Sequence, residues 1–408
     1  MINSSKITIV SALFLTAFAL VPGWFETFDV APDSARVTAL LACALFLVGL
    51  LIGARLVPDP RPWTASERRA DRSERGLIVV GCALLLCTAY VVLFGPAPPV
   101  FAASAGFDAL DSALLREEAI KLNPDTVFVK IYSYTRDIFA PIVFVLTLDV
   151  LFRRGTARST RVFGVVFLVA ATFIGIWSGQ KATIINYVLA AIIFVARDAR
   201  ALLRWLLVGL PVIAGLTFVM FAITYPDIFS NTDSEAFDNV MQGLLHRIYI
   251  SPFEVSVAYV DMIDNRPLID PLQLMPYLNR LLLPSPTIEN IIGIQYFYSG
   301  IDSISANALC FAYAYVIGGL PGCLLAGILT VAVIGLSIRI VRDGNNIFMV
   351  RVFQAIVAYG LLDLLNANLF SYLIAFLQIA LLAWFLARAN LGRRAATRRR
   401  PGPVGSTA

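Results

Sequence analysis

Long uninterrupted apolar runs recur along this chain, and they constrain its fold more than any other feature. Each run of about 20 residues is long enough to cross about 30 Å of hydrocarbon as an α-helix. The chain is 59% hydrophobic and 14% charged, whereas soluble proteins are about 45–50% apolar and about 25% charged. A membrane β-barrel would show short alternating segments instead. The sequence therefore predicts an all-α polytopic integral membrane protein.

The runs predict about ten transmembrane helices. They are residues 7–23, 37–56, 76–95, 138–152, 162–177, 182–196, 205–224, 318–338, 347–365 and 369–390. The fourth is short unless it begins near Val127, which would place Lys130, Arg136 and Asp137 in its outer part. Segment 308–320 is either the start of the eighth span or an interfacial helix.

These spans divide the chain into four parts. Residues 1–224 hold the first seven helices with an outer loop at 96–135, and residues 225–317 form a large loop that we expect to be helical. Residues 318–390 hold the last three helices, and residues 391–408 are expected to be a disordered basic tail.

Arginines cluster in every second connection, and they indicate the orientation through the positive-inside rule. These clusters lie in loop 57–75, loop 153–161, segment 197–204 and the tail from Arg393. Ten spans place all four clusters, and both termini, on one face, which the rule makes cytoplasmic. The arginines are explained as topology signals and lipid contacts, so we expect no nucleic-acid partner.

A kink interrupts the apolar sequence at "WSGQKATI", and its lysine falls on the outer face. Lys181 is one of four lysines in the chain, and the positive-inside rule does not explain it. Loops 96–135 and 225–317 lie on the same outer face. Function is expected there, because the cytoplasmic loops are too short for a soluble catalytic domain.

The large outer loop carries the sequence's only histidine, His246, next to Arg247. Apolar residues before it recur at helical spacing, and a second helix from Glu254 to Met262 is expected after Pro252. His246 is either a polar residue on a solvated face or a proton acceptor. Arg247 is either a headgroup contact, or partner of an acid, or a bidentate phosphate ligand.

Further basic and aromatic residues on the outer face are also candidates for a functional site. The basic ones are Arg116, Lys121, Arg266 and Arg280. The segment "IQYFYSG" at 294–300 carries three aromatic residues, which either stack on sugar rings or lie at the bilayer interface. Phosphate-loop, HExxH and GxSxG motifs are absent, and no acidic cluster has metal-ligand spacing. We expect neither a metal nor another cofactor.

Three stretches resemble the Wzy-type oligosaccharide repeat-unit polymerases, the O-antigen polymerase family. "SGQKATIINYVLAAIIF" is similar to the family's Gly-Ser-Arg-type turn and following helix, with Lys181 in place of an arginine. "HRIYISPFEVSVAYVDMI" and "MPYLNRLLLPSPT" resemble its large periplasmic loop. "SANALCFAYAYVIGGLPGCLLAGIL" resembles its loop exit. The Ser-Gly-Gln-Lys turn departs from the family pattern, as do the arginine-to-glycine spacings.

The resemblance implies a GT-C-like fold in a bacterial inner membrane and metal-independent, inverting glycosyl transfer on the periplasmic face. The substrates would be glycans linked to undecaprenyl pyrophosphate, with membrane lipids and a chain-length regulator as further partners. His246 or Glu254 would act as the base. The pyrophosphate would be bound by cations drawn from Lys181, Arg116, Arg247, Arg266 and Arg280. Lys181 has a second interpretation, as a lysine that snorkels to the interface.

Two alternatives stay open. The first is an O-antigen ligase, which is described as using an outer-loop histidine and arginine, as His246 and Arg247 would provide. The second is a flippase for lipid-linked oligosaccharide or a polysaccharide exporter. A transporter is expected to have charged groups near the bilayer midplane, and the sequence has few of them.

Overall fold

The computed structural model describes most of the helical part of the chain. The described segments are 4–25, 31–57, 73–101, 125–153, 155–177, 181–196, 199–224, 250–265, 288–297, 308–343 and 347–365, with single residues or short stretches at 238, 242, 246, 369, 373, 376–381 and 384. Every regular element in these segments is helical. This confirms the all-α class for the described part of the chain.

The helices are numbered here in chain order. They are α1 (Ser4–Phe25), α2 (Asp33–Leu56), α3 (Ser73–Phe94), α4 (126–152), α5 (Arg158–Ile176), α6 (Lys181–Val195), α7 (Ala199–Thr224), α8 (Ser251–Asn265), α9 (Ile288–Phe297), α10 (Cys310–Asp343) and α11 (Ile347–Leu365). A short 3₁₀ turn, Pro99–Phe101, follows α3. Two helices contain a π-helical turn, Thr16–Leu20 in α1 and Thr135–Phe139 in α4.

In the described part of the chain, five helices are long and apolar enough to cross a membrane. These stretches are Ser4–Phe25, Asp33–Leu56, Gly76–Phe94, Arg158–Ile176 and Cys310–Arg342. Shorter apolar helices cover Thr183–Val195 and Ile347–Leu362. The chain is therefore a helical membrane protein with several spans. The count of ten stays a prediction, and most of the tenth span, 369–390, lies outside the described residues.

The fourth predicted span extends well before residue 138. Asp125 caps α4, because its carboxylate accepts hydrogen bonds from the backbone nitrogens of Val127 and Phe128, both at 3.0 Å. The helix therefore begins at Thr126 and carries Lys130, Arg136 and Asp137 within it. The start of this helix agrees with the longer alternative, which began near Val127, and the span itself stays a prediction.

Contacts between helix termini define one end of the bundle, which we call the basic end. Lys6 at the start of α1 donates to the backbone carbonyls of Ile193 and Ala196 at the end of α6. Arg351 at the start of α11 pairs with Asp149 near the end of α4 at 2.7 Å, and Arg153 pairs with the same carboxylate at 2.6 Å. The ends of α4 and α6 and the starts of α1 and α11 thus lie together at this end, with Arg153 and Arg351 among them.

The other termini meet at the opposite end. The backbone nitrogen of Val100, just after α3, donates to the carbonyl of Trp177 at the end of α5 at 3.3 Å. Phe253 near the start of α8 packs against Phe311 near the start of α10, with ring centroids 6.4 Å apart. Helix α8 therefore lies at this opposite end, where it packs on α2 and α10. The predicted helix from Glu254 to Met262 is confirmed within it.

Helices α2 and α10 pack closely against each other, and glycine makes the approach possible. A Cβ at Gly49 would overlap the carbonyl oxygen of Leu324, and a Cβ at Gly327 would overlap that of Phe46. Small residues allow this backbone approach in membrane helices. Helix α10 breaks at Gly318 and Gly319, and Gly319 has a φ of 57° that favours glycine. The break separates segment 310–317 from the apolar part that follows.

Candidate functional site

The two predicted catalytic residues lie at the same end of α8. Glu254 is half-buried in the first turn. His246 is exposed, and its Nδ1 is 3.3 Å from the hydroxyl of Ser251, the first residue of α8. A carboxylate in the first turn is also favoured by the helix dipole, so Glu254 has a structural explanation beside the catalytic one.

The predicted cationic residues lie largely beyond what the structure describes. Lys181 is the first residue of α6, and its side chain lies outside the described part. The kink at 178–180 and the residues Arg116, Arg247, Arg266 and Arg280 also lie outside the described residues. Their roles stay predictions.

A charged pair lies inside α4, away from the ion pairs of the basic end. Arg136 and Asp137 both fall in the π-helical turn Thr135–Phe139. Arg136 donates from Nε to Asp137 Oδ1 at 2.6 Å and from Nη2 to Oδ2 at 2.9 Å, which is a bidentate pair. The Arg136 side chain is 17% exposed and that of Asp137 is 42% exposed. π-Turns inside α-helices occur frequently at functional sites.

Aromatic side chains surround Arg136. Its guanidinium lies 5.4 Å from the centroid of the Tyr132 ring, one turn earlier in α4. Its backbone carbonyl accepts a hydrogen bond of 2.5 Å from the hydroxyl of Tyr187 in α6. Tyr187 in turn contacts Tyr359 of α11 edge to face, at 5.6 Å between centroids. Three helices thus fix the position of the arginine.

Trp177 joins this cluster to the kink that precedes Lys181. Its ring centroid is 4.8 Å from that of Tyr132. The indole Nε1 is buried and has no hydrogen-bond acceptor among the described residues. A buried donor without an acceptor is costly, so this N–H is suited to an acceptor that the bound ligand supplies. We call Tyr132, Arg136, Asp137, Trp177 and Tyr187 the arginine site.

The arginine site lies between the two ends of α4, nearer the end opposite the basic one. Ten residues separate Thr126 from Arg136, which is about 15 Å along the helix. Tyr187 is six residues, or about 9 Å, below Lys181. A carboxylate as exposed as that of Asp137 would be costly against lipid tails. This surface therefore faces water or headgroups.

A second polar cluster lies at the far end of α8. Asp261 accepts a hydrogen bond from the Tyr296 hydroxyl of α9 at 2.8 Å and another from Asn265 at 3.0 Å. Asp264 accepts one from the Tyr315 hydroxyl of α10, also at 2.8 Å. The described residues contain no group of three side chains suited to a metal ion.

The sequence contained signals for the residues that our prediction missed. Arg136 and Asp137 are adjacent charges within an apolar helix, and intramembrane charges indicate function by default. The longer alternative for the fourth span places both in its outer part without assigning them a role. Their convergence with Trp177 and Tyr187 depends on packing between helices, which one sequence does not show.

Comparison with family models, curated proteins and solved structures finds no match to this chain. The polymerase resemblance therefore stays a prediction.

Proposed function

We propose that this protein is a membrane-embedded glycosyltransferase that polymerises oligosaccharide repeat units carried on undecaprenyl pyrophosphate. The reaction takes place at the end of the bundle opposite the basic one. By the positive-inside rule, that end faces the periplasm of a bacterial inner membrane, and both termini are cytoplasmic. The GT-C-like architecture is part of this proposal.

The arginine site is the observation that carries the proposal. A polyprenyl diphosphate keeps its chain in the bilayer, so its charged group is bound close to the membrane-embedded helices. Arg136 offers a guanidinium there, and the Trp177 Nε1–H offers a further donor. Lys181 begins the helix that also contributes Tyr187 to this site. Fixed donors of this kind stabilise the charge that develops on a leaving diphosphate.

In the proposed reaction, a hydroxyl of the acceptor unit attacks the anomeric carbon of the donor glycan. The bond from that carbon to the diphosphate oxygen breaks, and the configuration is inverted. The hydroxyl proton passes to His246 or Glu254, and the negative charge stays on the diphosphate. Lys181 and Arg136 stabilise this charge, with the predicted outer arginines Arg116, Arg247, Arg266 and Arg280 as additional ligands. No step requires a metal ion.

A flippase for lipid-linked oligosaccharide is the second candidate, and the Arg136–Asp137 pair favours it. Transporters place ionisable pairs along the substrate pathway within the membrane. The sequence showed few such groups, but the structure brings this pair into contact with α6, through Tyr187. The same site is thus compatible with binding a diphosphate for transfer or for translocation.

Deletion of the gene in its host separates the two candidates. A polymerase mutant is expected to display surface glycans that each carry a single repeat unit, because export continues without polymerisation. A flippase mutant is expected to display none and to accumulate lipid-linked units in the inner leaflet. Gel electrophoresis of surface glycans, with a plasmid-complemented strain as control, measures the difference. Full-length polymer in the deletion strain would exclude both functions.

A further inference from the structure

A polar cleft lies between the C-terminal part of α8 and helix α9. It has a volume of about 360 Å³ and is lined by Met262 and Asn265 of α8 and by Gln295 and Tyr296 of α9. Binding sites for small molecules commonly have volumes of about 300–1,000 Å³. The cleft is thus large enough for one small ligand, and no role has been given to it above.

Two lining side chains are held in place by one carboxylate. Tyr296 donates to Asp261 Oδ2 at 2.8 Å, and Asn265 donates to Asp261 Oδ1 at 3.0 Å. Because both oxygens of Asp261 accept a hydrogen bond, the tyrosine ring and the amide are fixed relative to each other. Such fixation lowers the entropy that the ligand must overcome on binding.

Two carboxylates beside the cleft lie where they destabilise their own helix. Asp261 and Asp264 lie near the C-terminus of α8, where the helix dipole disfavours negative charge. Each is held by a tyrosine hydroxyl from another helix, Tyr296 and Tyr315 respectively. Local features that oppose the stability of their own element are expected at functional sites.

The chemistry of the cleft selects the ligand class. Amide groups from Asn265 and Gln295 can donate and accept together, as neighbouring hydroxyl groups require. The Tyr296 ring and the Met262 thioether supply apolar surface for C–H groups. The nearby carboxylates disfavour an anion. A pyranose ring, with hydroxyls at its edge and C–H groups on its faces, matches all of these groups.

We propose that this cleft binds a sugar ring of the acceptor glycan. The origin of the sugar rests on the proposed function, whereas the binding chemistry rests on the cleft itself. Glu254 and Asp261 are seven residues apart, which places them on the same face of α8 about 10 Å from each other. The cleft therefore holds a sugar that neighbours the reacting one, and it positions the acceptor for the base at the start of α8.

Saturation-transfer NMR with the full-length protein in lipid nanodiscs tests this proposal. The probes are methyl glycosides of glucose, galactose, N-acetylglucosamine and rhamnose. At least one is expected to receive saturation on its ring protons. Gln295→Ala and Tyr296→Ala are expected to weaken its affinity about tenfold, as for the loss of one good polar or stacking contact. Gln295 is exposed, so its substitution leaves the fold intact.

Tyr315→Phe is the matched control. It removes a tyrosine–aspartate hydrogen bond of the same length as that of Tyr296, and the aspartate again belongs to α8. Tyr315 itself lies in α10 and does not line the cleft. Its glycoside affinity is expected to equal that of the wild type. The proposal is wrong if no glycoside exceeds the transfer seen with empty nanodiscs, or if Gln295→Ala binds as tightly as the wild type. Glycoside binding in a protein whose deletion leaves polymer unchanged would reject only the proposed reaction.

Discussion

Arg136 is the residue on which the proposed chemistry depends most. Its guanidinium is held by Asp137 and lies against the Tyr132 ring, and its backbone carbonyl accepts a hydrogen bond from Tyr187. The bidentate pair with Asp137 neutralises the arginine when no substrate is bound. A diphosphate would therefore compete with the Asp137 carboxylate for the same donors. Arg136 would thus favour anion binding, whereas Asp137 would oppose it.

Substitutions at this pair are expected to have opposite signs. Arg136→Gln removes the cation and should lower kcat/KM for polymer formation about a hundredfold or more. Asp137→Asn removes the competing charge and should tighten binding of inorganic pyrophosphate about threefold to tenfold. Calorimetry with pyrophosphate measures the second effect. Arg153→Gln, at the basic end, is the control and should change neither quantity. Weaker pyrophosphate binding in both site variants would show that the pair is only structural.

Substitutions of Lys181 and the outer arginines test the part of the site that was predicted from the sequence alone. Lys181→Ala, Arg247→Ala and Arg280→Ala should each abolish polymer at unchanged protein level, because each removes a proposed diphosphate ligand. Lys181→Arg should retain activity, since positive charge at the start of α6 is preserved. Electrophoresis of surface glycans with immunoblots of membrane fractions measures both. Near-normal chain length in all three alanine variants would contradict these assignments.

The packing of α2 against α10 sets the framework at the level of secondary structure. Gly49 and Gly327 allow the two backbones to meet, and the break at Gly318–Gly319 separates segment 310–317 from the rest of α10. Tyr313 and Phe311 in that segment contact Tyr259 and Phe253 of α8. The break therefore lets one helix both cross the membrane and support the outer helix that carries the polar cleft.

Gly327→Leu is expected to destabilise the protein strongly. Its Cβ would overlap the backbone oxygen of Phe46, which cannot move as a side chain can. Overpacking of this kind costs about 1–3 kcal/mol or more. Thermal unfolding in detergent should show a lower Tm than the wild type. Gly215→Ala in α7 is the control, because a Cβ there meets open space. An unchanged Tm for Gly327→Leu would refute the tight α2–α10 contact.

Helix positions were largely predictable because apolar length determines them. The runs at 37–56 and 162–177 correspond closely to Asp33–Leu56 and Arg158–Ile176. The start of α4 depended on the Asp125 cap, which a purely apolar criterion overlooks because charged residues follow it. The π-helical turn at Thr135–Phe139 has no comparable sequence signature, so the inward position of Arg136 could not be predicted.

Over the whole molecule, the two ends of the helix bundle differ in the contacts and elements that they contain. The basic end is tied by charges, with Lys6 bound to the end of α6 and Asp149 shared by Arg153 and Arg351. The opposite end carries α8, and the arginine site lies nearer to it than to the basic end. The sequence predicted this asymmetry from its arginine-rich loops. It did not predict which helices share an end contact, because those pairings join residues far apart in the chain.

In the proposed reaction, this protein joins lipid-linked repeat units without a metal ion. We would measure this with purified protein in nanodiscs and repeat units extracted from the deletion strain, in buffer containing EDTA. We predict a ladder of polymer lengths on electrophoresis, with release of undecaprenyl pyrophosphate, and no ladder with Arg136→Gln. Repeat units that stay unchanged with the wild-type protein, or a ladder of equal intensity with Arg136→Gln, would contradict the claim.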